Sequence, residues 1–247
     1  MPLRDRVALV TGGSRGIGRG IALRLAQNGA RIAIAYRSNK AAAQESLRQM
    51  QRVGADCVAV ETDISEPARA EQLIKTVGDR FGRLDILVNN VGHFGWGTLS
   101  ESTVEDWQEI FDSNVRTVFY MCRAALPLMR KGRWGRIINL GAVGAERAFG
   151  QAKISAYAAA KAAVVAMSRS LALEEAKNAI TVNVVNPSNI DEKALSLEEA
   201  RKLRDARYPI GRPPTVEDVS AAVAFFASAE AEYVTGQVVN VSGGWML

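Results

Sequence analysis

The stretch that most limits what this chain can become is Thr11-Gly12-Gly13-Ser14-Arg15-Gly16-Ile17-Gly18. Ahead of it, Val7-Ala8-Leu9-Val10 is a continuous apolar run that reads as a buried strand. Behind it, Ile17, Ile21, Ala22, Leu25 and Ala26 recur at helical spacing. The glycines therefore sit where a buried strand feeds a helix. Such a turn aims backbone N–H groups from a positive helix end, the arrangement that holds a phosphate. Glycine suits it because a side chain would block close approach or forbid the backbone angles. Gly13 to Gly18 has Walker-loop spacing, but Arg19 and Gly20 stand where that motif needs lysine and a hydroxyl. The form Gly-x-Gly-x-x-Gly is also absent; the pattern is Thr-Gly-x3-Gly-x-Gly. Taken alone, the turn also fits a plain glycine-rich connection, so the rest of the chain decides.

The rest alternates. Strands are expected at 31–36, 56–62, 84–88 and 136–140. Helices are expected at 40–53, closed by Gly54, at 66–81, over most of 103–131, and at 156–176. Asn183 and Asn186 are read as bracketing a sixth strand, where turn-forming is the plain alternative. Alternation of this kind implies an α/β fold: one Rossmann-type, doubly wound parallel sheet of about seven strands with helices on both faces. Right-handed crossovers then place the strand ends on one rim, where ligands bind. The 247 residues suit a single domain of this type.

Composition narrows the function classes. Hydrophobic residues make up 48% and charged residues 23%, an ordinary globular balance. The net charge is +5, but the basic residues are scattered, without a cluster interleaved with aromatics. A nucleic-acid partner is therefore not expected. Two cysteines, Cys57 and Cys122, form no metal-type spacing and suit a reducing compartment. The start, Met1 to Arg6, has no apolar signal region, and no apolar run is long enough for a bilayer. A soluble cytoplasmic protein with no membrane contact and no bound metal is expected.

Charge also speaks to the ligand. In a dinucleotide fold, an acid at the end of the second strand takes the ribose hydroxyls of NAD. Here Tyr36 holds that place, followed by Arg37 and Ser38, and Arg15 lies in the glycine turn. Two guanidiniums suit a 2′-phosphate, so NADPH is expected over NADH. Asp63 closes the third strand, where a carboxylate can accept from the adenine amino group; a helix cap is its plainer role. Farther on, Tyr157-Ala158-Ala159-Ala160-Lys161 puts a phenol and an ammonium one helical turn apart. A positive charge so near is expected to lower the phenol pKa and make Tyr157 a general acid for a carbonyl. Asn114, mid-helix in Asp112-Ser113-Asn114-Val115, is mildly unfavourable there and invites a reason.

The order Thr11–Gly18, Asn89–Gly92, Asn114, Tyr157–Lys161 and Asn183-Val-Val-Asn-Pro187 resembles the short-chain dehydrogenase/reductase family. The likeness runs essentially the whole chain, to the closing segment from Tyr233 to Gly244. Within the family the chain is most similar to the 3-oxoacyl-acyl-carrier-protein reductases, through Tyr208-Pro-Ile-Gly-Arg212 and Thr215-Val-Glu-Asp218. The resemblance implies that Tyr157 donates the proton and Lys161 holds the nicotinamide ribose. It implies that Asn114 anchors a water relaying protons to Lys161. Gly12, Ser14, Arg15, Gly16, Ile17 and Gly18 would form the pyrophosphate turn. Asp63 and Ile64 would flank the adenine. Asn90, Val91 and Gly92 would line the adenosine side, and Pro187 and Ile190 the nicotinamide end. It also implies a homotetramer or homodimer built on two long helices, to which Ala158, Ala159, Ala162, Ala163 and Ala166 offer small faces.

Two departures stand out. The family places a serine shortly after the fifth strand to hydrogen-bond the substrate carbonyl; this chain has Ala142. Losing one such donor costs about 2.7–4 kcal/mol of transition-state stabilisation. Substitutes are sought in 141–151 or at His93, the only histidine, whose bland role is a loop residue. Ser188 stands where the family usually has glycine. Beyond it, a polar helix is expected from Asp191 to Arg207, as a lid around 190–210 carrying Lys193, Arg201, Lys202, Arg204 and Arg207. A basic lid suits an acyl-carrier-linked substrate, while Leu195, Leu197 and Leu203 equally suit an amphipathic surface helix. The expected activity is NADPH-dependent reduction of a ketone or 3-oxoacyl thioester. The alternatives are another small carbonyl or a pterin, or NADPH binding with little catalysis because of Ala142.

Overall fold

The computed structural model describes residues 2–190 and 195–246. Lys193 and the first residues of the expected lid, 191–194, lie outside the described residues.

The chain opens with β1 (Val7–Thr11), the glycine turn, α1 (Gly16–Gln27), β2 (Arg31–Tyr36), α2 (Lys40–Arg52), β3 (Cys57–Glu61) and α3 (Pro67–Phe81). It continues through β4 (Ile86–Asn89), α4 (Val104–Phe111), a π-helical turn (Asp112–Arg116), α5 (Thr117–Gly132) and β5 (Gly135–Leu140). It ends with α6 (Ser155–Glu175), β6 (Ile180–Pro187), α7 (Leu197–Lys202), α8 (Val216–Ala227) and β7 (Val238–Val241). Among the described residues the strands form one seven-stranded sheet in the order β3-β2-β1-β4-β5-β6-β7, every pair parallel. This is the doubly wound sheet expected from the alternation.

Both faces of the sheet are dry, as the unbroken apolar strands require. Alternation along each strand divides the core in two. Ala8, Val10, Ile32 and Ile34 pack on one face with Ile21, Leu25 and Met50 of α1 and α2 and Val219 and Val223 of α8. Val7, Leu9, Ala33 and Ala35 pack on the other with Leu73 and Val77 of α3, Met121 and Ala125 of α5 and Val164 of α6. The order of strands reverses between β1 and β4, which opens a crevice at their C-terminal ends.

The helical stretch expected over most of 103–131 is present as α4, a π-helical turn that holds Asn114, and α5 in unbroken succession. Two expectations need correction. Asn183 and Asn186 lie within β6 and are not turn-formers. Asn183 accepts from Gln237 N at 3.0 Å and donates to Val234 O at 2.8 Å, so it ties β6 to the approach of β7. Among the described residues the helix expected over 191–207 spans only Leu197–Lys202, and Leu203 leaves it in an extended conformation, 46% exposed. Ser196 and Glu199 form the capping box that starts it.

Gly20 lets α1 and α8 meet. A Cβ there would fall 2.0 Å from Val216 Cγ1. Gly20→Ala is expected to lose about 1–3 kcal/mol of stability by overpacking. Urea denaturation of the single variant and of Gly20→Ala with Val216→Ala checks it: the second change restores part of the loss.

Candidate active site

The crevice is a cleft of about 1590 Å³ running along the ends of β2, β1, β4, β5 and β6. At one end lies the glycine turn. Gly12 holds φ +64°, and a Cβ on Gly18 would fall 2.3 Å from Gly12 O. A side chain at Gly18 would thus strike backbone, which cannot yield. Arg15 is the N-cap of α1, which has no side-chain cap and no acidic residue in its first turn. Its leading N–H groups and positive end are left for an anion. The turn is braced from behind by Arg19, whose Nε and Nη2 donate to Ser14 O at 3.1 and 2.8 Å. Ser46 of α2 adds a third donor to the same oxygen at 2.9 Å. Sequence reasoning missed this bracing role of Arg19 and Ser46. No local pattern marks it, because the partners belong to different helices.

Thr11 and Asn90 join β1 to β4 at the switch point. Thr11 Oγ1 accepts from the backbone N of Asn90 and Val91 at 2.9 and 3.2 Å. Asn90 Nδ2 donates to Thr11 O at 3.0 Å. Asn90, Val91 and Gly92 line the cleft from that clamp, with Gly12, Ser14, Arg15, Gly16, Ile17 and Gly18 opposite. Arg37, Ser38, Asp63 and Ile64 line the same end. Tyr36 is turned toward Glu61, to which its hydroxyl donates at 3.1 Å. Asp63 accepts from Ser65 N at 3.0 Å, and that backbone amide holds its carboxyl below the ordinary range. Capping of α3 falls to neither Asp63 nor Ser65, since its N-cap is Glu66. The glycine cradle, the bare helix end and the two exposed arginines fit the diphosphate and adenosine half of a dinucleotide.

At the other end α6 presents Tyr157, one turn before Lys161. Tyr157 lines the cleft; Lys161 lies buried behind it. Lys161 Nζ sits 5.6 Å from the centre of the Tyr157 ring and donates to Leu140 O at 2.8 Å. The expected lowering of the phenol pKa is corrected here. Burial raises the Tyr157 phenol to about 12 and lowers the Lys161 ammonium to about 8. The ammonium gives its hydrogen bond to the Leu140 carbonyl, and both groups lose part of their solvation to the packing of α6.

Asn114 lies fully buried behind the cleft. Its Nδ2 donates to His93 O at 2.8 Å and to Ile110 O at 2.9 Å. The second bond satisfies a carbonyl of the widened helical turn, which accounts for an asparagine in mid-helix. Its Oδ1 has no hydrogen-bond partner among the described residues. A Cβ on Gly92 would fall 2.3 Å from that oxygen and 3.4 Å from Lys161 Nζ. Gly92 is therefore small because Asn114 and Lys161 are packed at its back. The orphaned oxygen beside a buried amine is a fitting anchor for a proton-carrying water.

The remaining candidates also reach the cleft. Pro187, Ser188 and Ile190 line it past β6, and Ala142 and Val143 past β5. His93 and Gln151, both exposed, supply polar groups to its wall. Ser188 Oγ is buried without a partner among the described residues. No residue between 195 and 210 is among the described residues that line the cleft.

The burial of Lys161 has a measurable consequence. Its folded pKa lies below the ordinary 10.5, so between pH 8 and 10.5 the unfolded chain binds the extra proton. Stability contributed at this position therefore rises with pH across that window. Wild type is expected to gain stability relative to Lys161→Met between pH 8 and 9.5 in denaturant titrations without ligand. A constant difference between the two proteins would contradict it.

Comparison with known proteins agrees with this geometry. A family model described as enoyl-(acyl carrier protein) reductase matches residues 12–246. The chain is 39% identical to the 3-oxoacyl-acyl-carrier-protein reductase FabG of Vibrio cholerae, over 99% of this chain and 98% of that one. It is 38% identical to the same-named protein of Staphylococcus aureus, over 96% of each. Among solved structures it is similar to levodione reductase, with a TM-score of 0.87, 29% identity, and coverage of 98% of this chain and 97% of the other. With the motifs, the sheet order and the cleft, these likenesses place the chain in the short-chain dehydrogenase/reductase family.

Proposed function

We propose that this oxidoreductase uses NADPH to reduce a ketone or 3-oxoacyl thioester to the hydroxy compound. The observation that carries the reading is one cleft with a bare helix end and two arginines at one extremity and, at the other, a half-buried phenol with a buried amine behind it. When bound, the reduced cofactor supplies the hydride. Tyr157 would give its proton to the carbonyl oxygen, and with hydride at the carbon the ketone would become a secondary alcohol. A phenol that holds its proton until negative charge develops suits this role. Tyr157 is reprotonated along the path through Lys161 and the free Oδ1 of Asn114. Arg15 and Arg37 grip the phosphate that distinguishes NADPH from NADH.

Ala142 supports a second reading, dinucleotide binding with slow turnover, since a methyl group cannot donate to the carbonyl. The curated relatives favour an acyl-carrier-linked substrate; another small carbonyl or a pterin fits the same chemistry. For assembly we carry forward a homotetramer or homodimer. Val104 and Trp107 of α4, Phe119 of α5 and Leu173 of α6 are exposed apolar residues that support it.

Tyr157→Phe is expected to lower turnover of acetoacetyl-N-acetylcysteamine with NADPH by about 10²–10⁴-fold while leaving NADPH binding unchanged. Unchanged turnover would contradict the role. Arg37→Ser is expected to raise the KM for NADPH by about tenfold and leave that for NADH unchanged, since only the phosphate uses the charge-assisted bonds. Equal KM values for the two cofactors in wild type would overturn the NADPH assignment. Strong NADPH binding with turnover that rises in Ala142→Ser would support an intact but under-equipped site.

A further inference from the structure

The two aromatic rings that follow the β4 clamp are not used by the chemistry above. Phe94 is 54% exposed and Trp96 61% exposed, yet both line the cleft. Phe94 stands edge-on to Tyr157, ring centres 5.0 Å apart and planes at 79°. Trp96 follows with its centre 6.2 Å from that of Phe94, planes at 37°. The three rings thus form a continuous shelf that begins at the proton donor. Large apolar side chains left in solvent beside a reactive group have unspent surface to offer a ligand.

The shelf is held in place. Gly97 N donates to Lys153 O at 2.9 Å, joining the 93–102 loop to the segment before α6. The Lys153 ammonium lies 5.9 Å from the Trp96 ring centre. A Cβ on Gly95 would fall 2.5 Å from Ile110 Cδ1, so the loop between the two rings is pressed onto α4. The polar wall of this end holds three carboxylates, of which Asp112 is paired with Arg116 at 3.0 Å, and one ammonium, that of Lys153 near Trp96. Glu105, Glu109 and Asp112 line the cleft from α4 and the turn after it, whereas the cleft's exposed arginines, Arg15 and Arg37, stand at the glycine-turn end. Ala142 and Val143, which line the same cleft past β5, bring no hydroxyl to it.

We propose that Phe94 and Trp96 are specificity-determining residues that seat a flat ring against Tyr157, so that the substrates are uncharged ketones on or beside an aromatic or fused ring. The inference rests on the carbonyl-reductase reading and deepens it. A planar body stacks along rings in offset or edge-on contact, the geometry the free shelf offers. It brings its carbonyl to the phenol without a flexible chain to order. The carboxylates of α4 oppose an anionic substrate, including one delivered on an acidic carrier. The reaction is the one already given: the ring ketone gains a hydride at carbon and the Tyr157 proton at oxygen.

The test uses the full chain with NADPH and three probes: 1-tetralone, 4-acetylbenzoate and acetoacetyl-N-acetylcysteamine. In wild type, kcat/KM for 1-tetralone is expected to exceed that for the other two by about tenfold or more. Phe94→Ala and Trp96→Ala are each expected to lower kcat/KM for 1-tetralone by about tenfold, mainly through KM, with a smaller effect on the thioester. Phe94→Tyr restores the preference. Thioester turnover that exceeds 1-tetralone turnover, or an equal loss for both in Phe94→Ala, overturns the shelf while leaving the carbonyl-reductase reading standing. Turnover of none of the probes, with NADPH still bound, overturns both. Circular dichroism of each variant separates these results from misfolding.

Discussion

The backbone at Gly18 passes so close to Gly12 that no side chain fits between them. That contact sets where α1 begins relative to β1, and so where its positive end points. The clamp of Thr11 and Asn90 then holds β4 against β1 at the same level. Because β4 leads directly into Gly92 and the aromatic loop, the anion end and the reactive end are set by one stack of backbone contacts. Gly92 passes the constraint on: it is the surface on which Asn114 and Lys161 are packed.

Burial explains the electrostatics of the reactive end better than pairing does. Tyr157 and Lys161 are neighbours on α6, but the amine bonds to Leu140 O and both groups are driven toward their neutral forms. The site without ligand therefore holds a phenol that keeps its proton, at about 12, and an amine that gives its proton up near 8, well below an exposed lysine. The glycine-turn end is charged in the opposite manner, with Arg15 and Arg37 open to the cleft. One end suits an anion and the other a neutral carbonyl.

What the sequence made legible was local. The glycine turn, the strand–helix rhythm and the Tyr157–Lys161 spacing each depend on residues a few positions apart. What it hid was tertiary. Asn183 and Asn186 read as the brackets of a strand, with turn-forming as the alternative, but both lie inside β6, where Asn183 serves Gln237 and Val234 and Asn186 serves Glu146 and Asn240. The π-helical turn widens the helix at Asn114 without glycine or proline; the one local sign is the asparagine itself, unfavourable in mid-helix. The Tyr157 pKa was misjudged because spacing along α6 says nothing about solvent. The helix expected over 191–207 outruns Leu197–Lys202, whose start is set by the Ser196–Glu199 capping box.

The most direct measurement is a crystal structure of the chain with NADPH bound. The expected result has the diphosphate on the N–H groups of the Gly12–Gly18 turn, the 2′-phosphate between Arg15 and Arg37, and the nicotinamide beside the Tyr157 hydroxyl. A dinucleotide bound with its nicotinamide away from Tyr157, or with that hydroxyl turned out of the cleft, would contradict it.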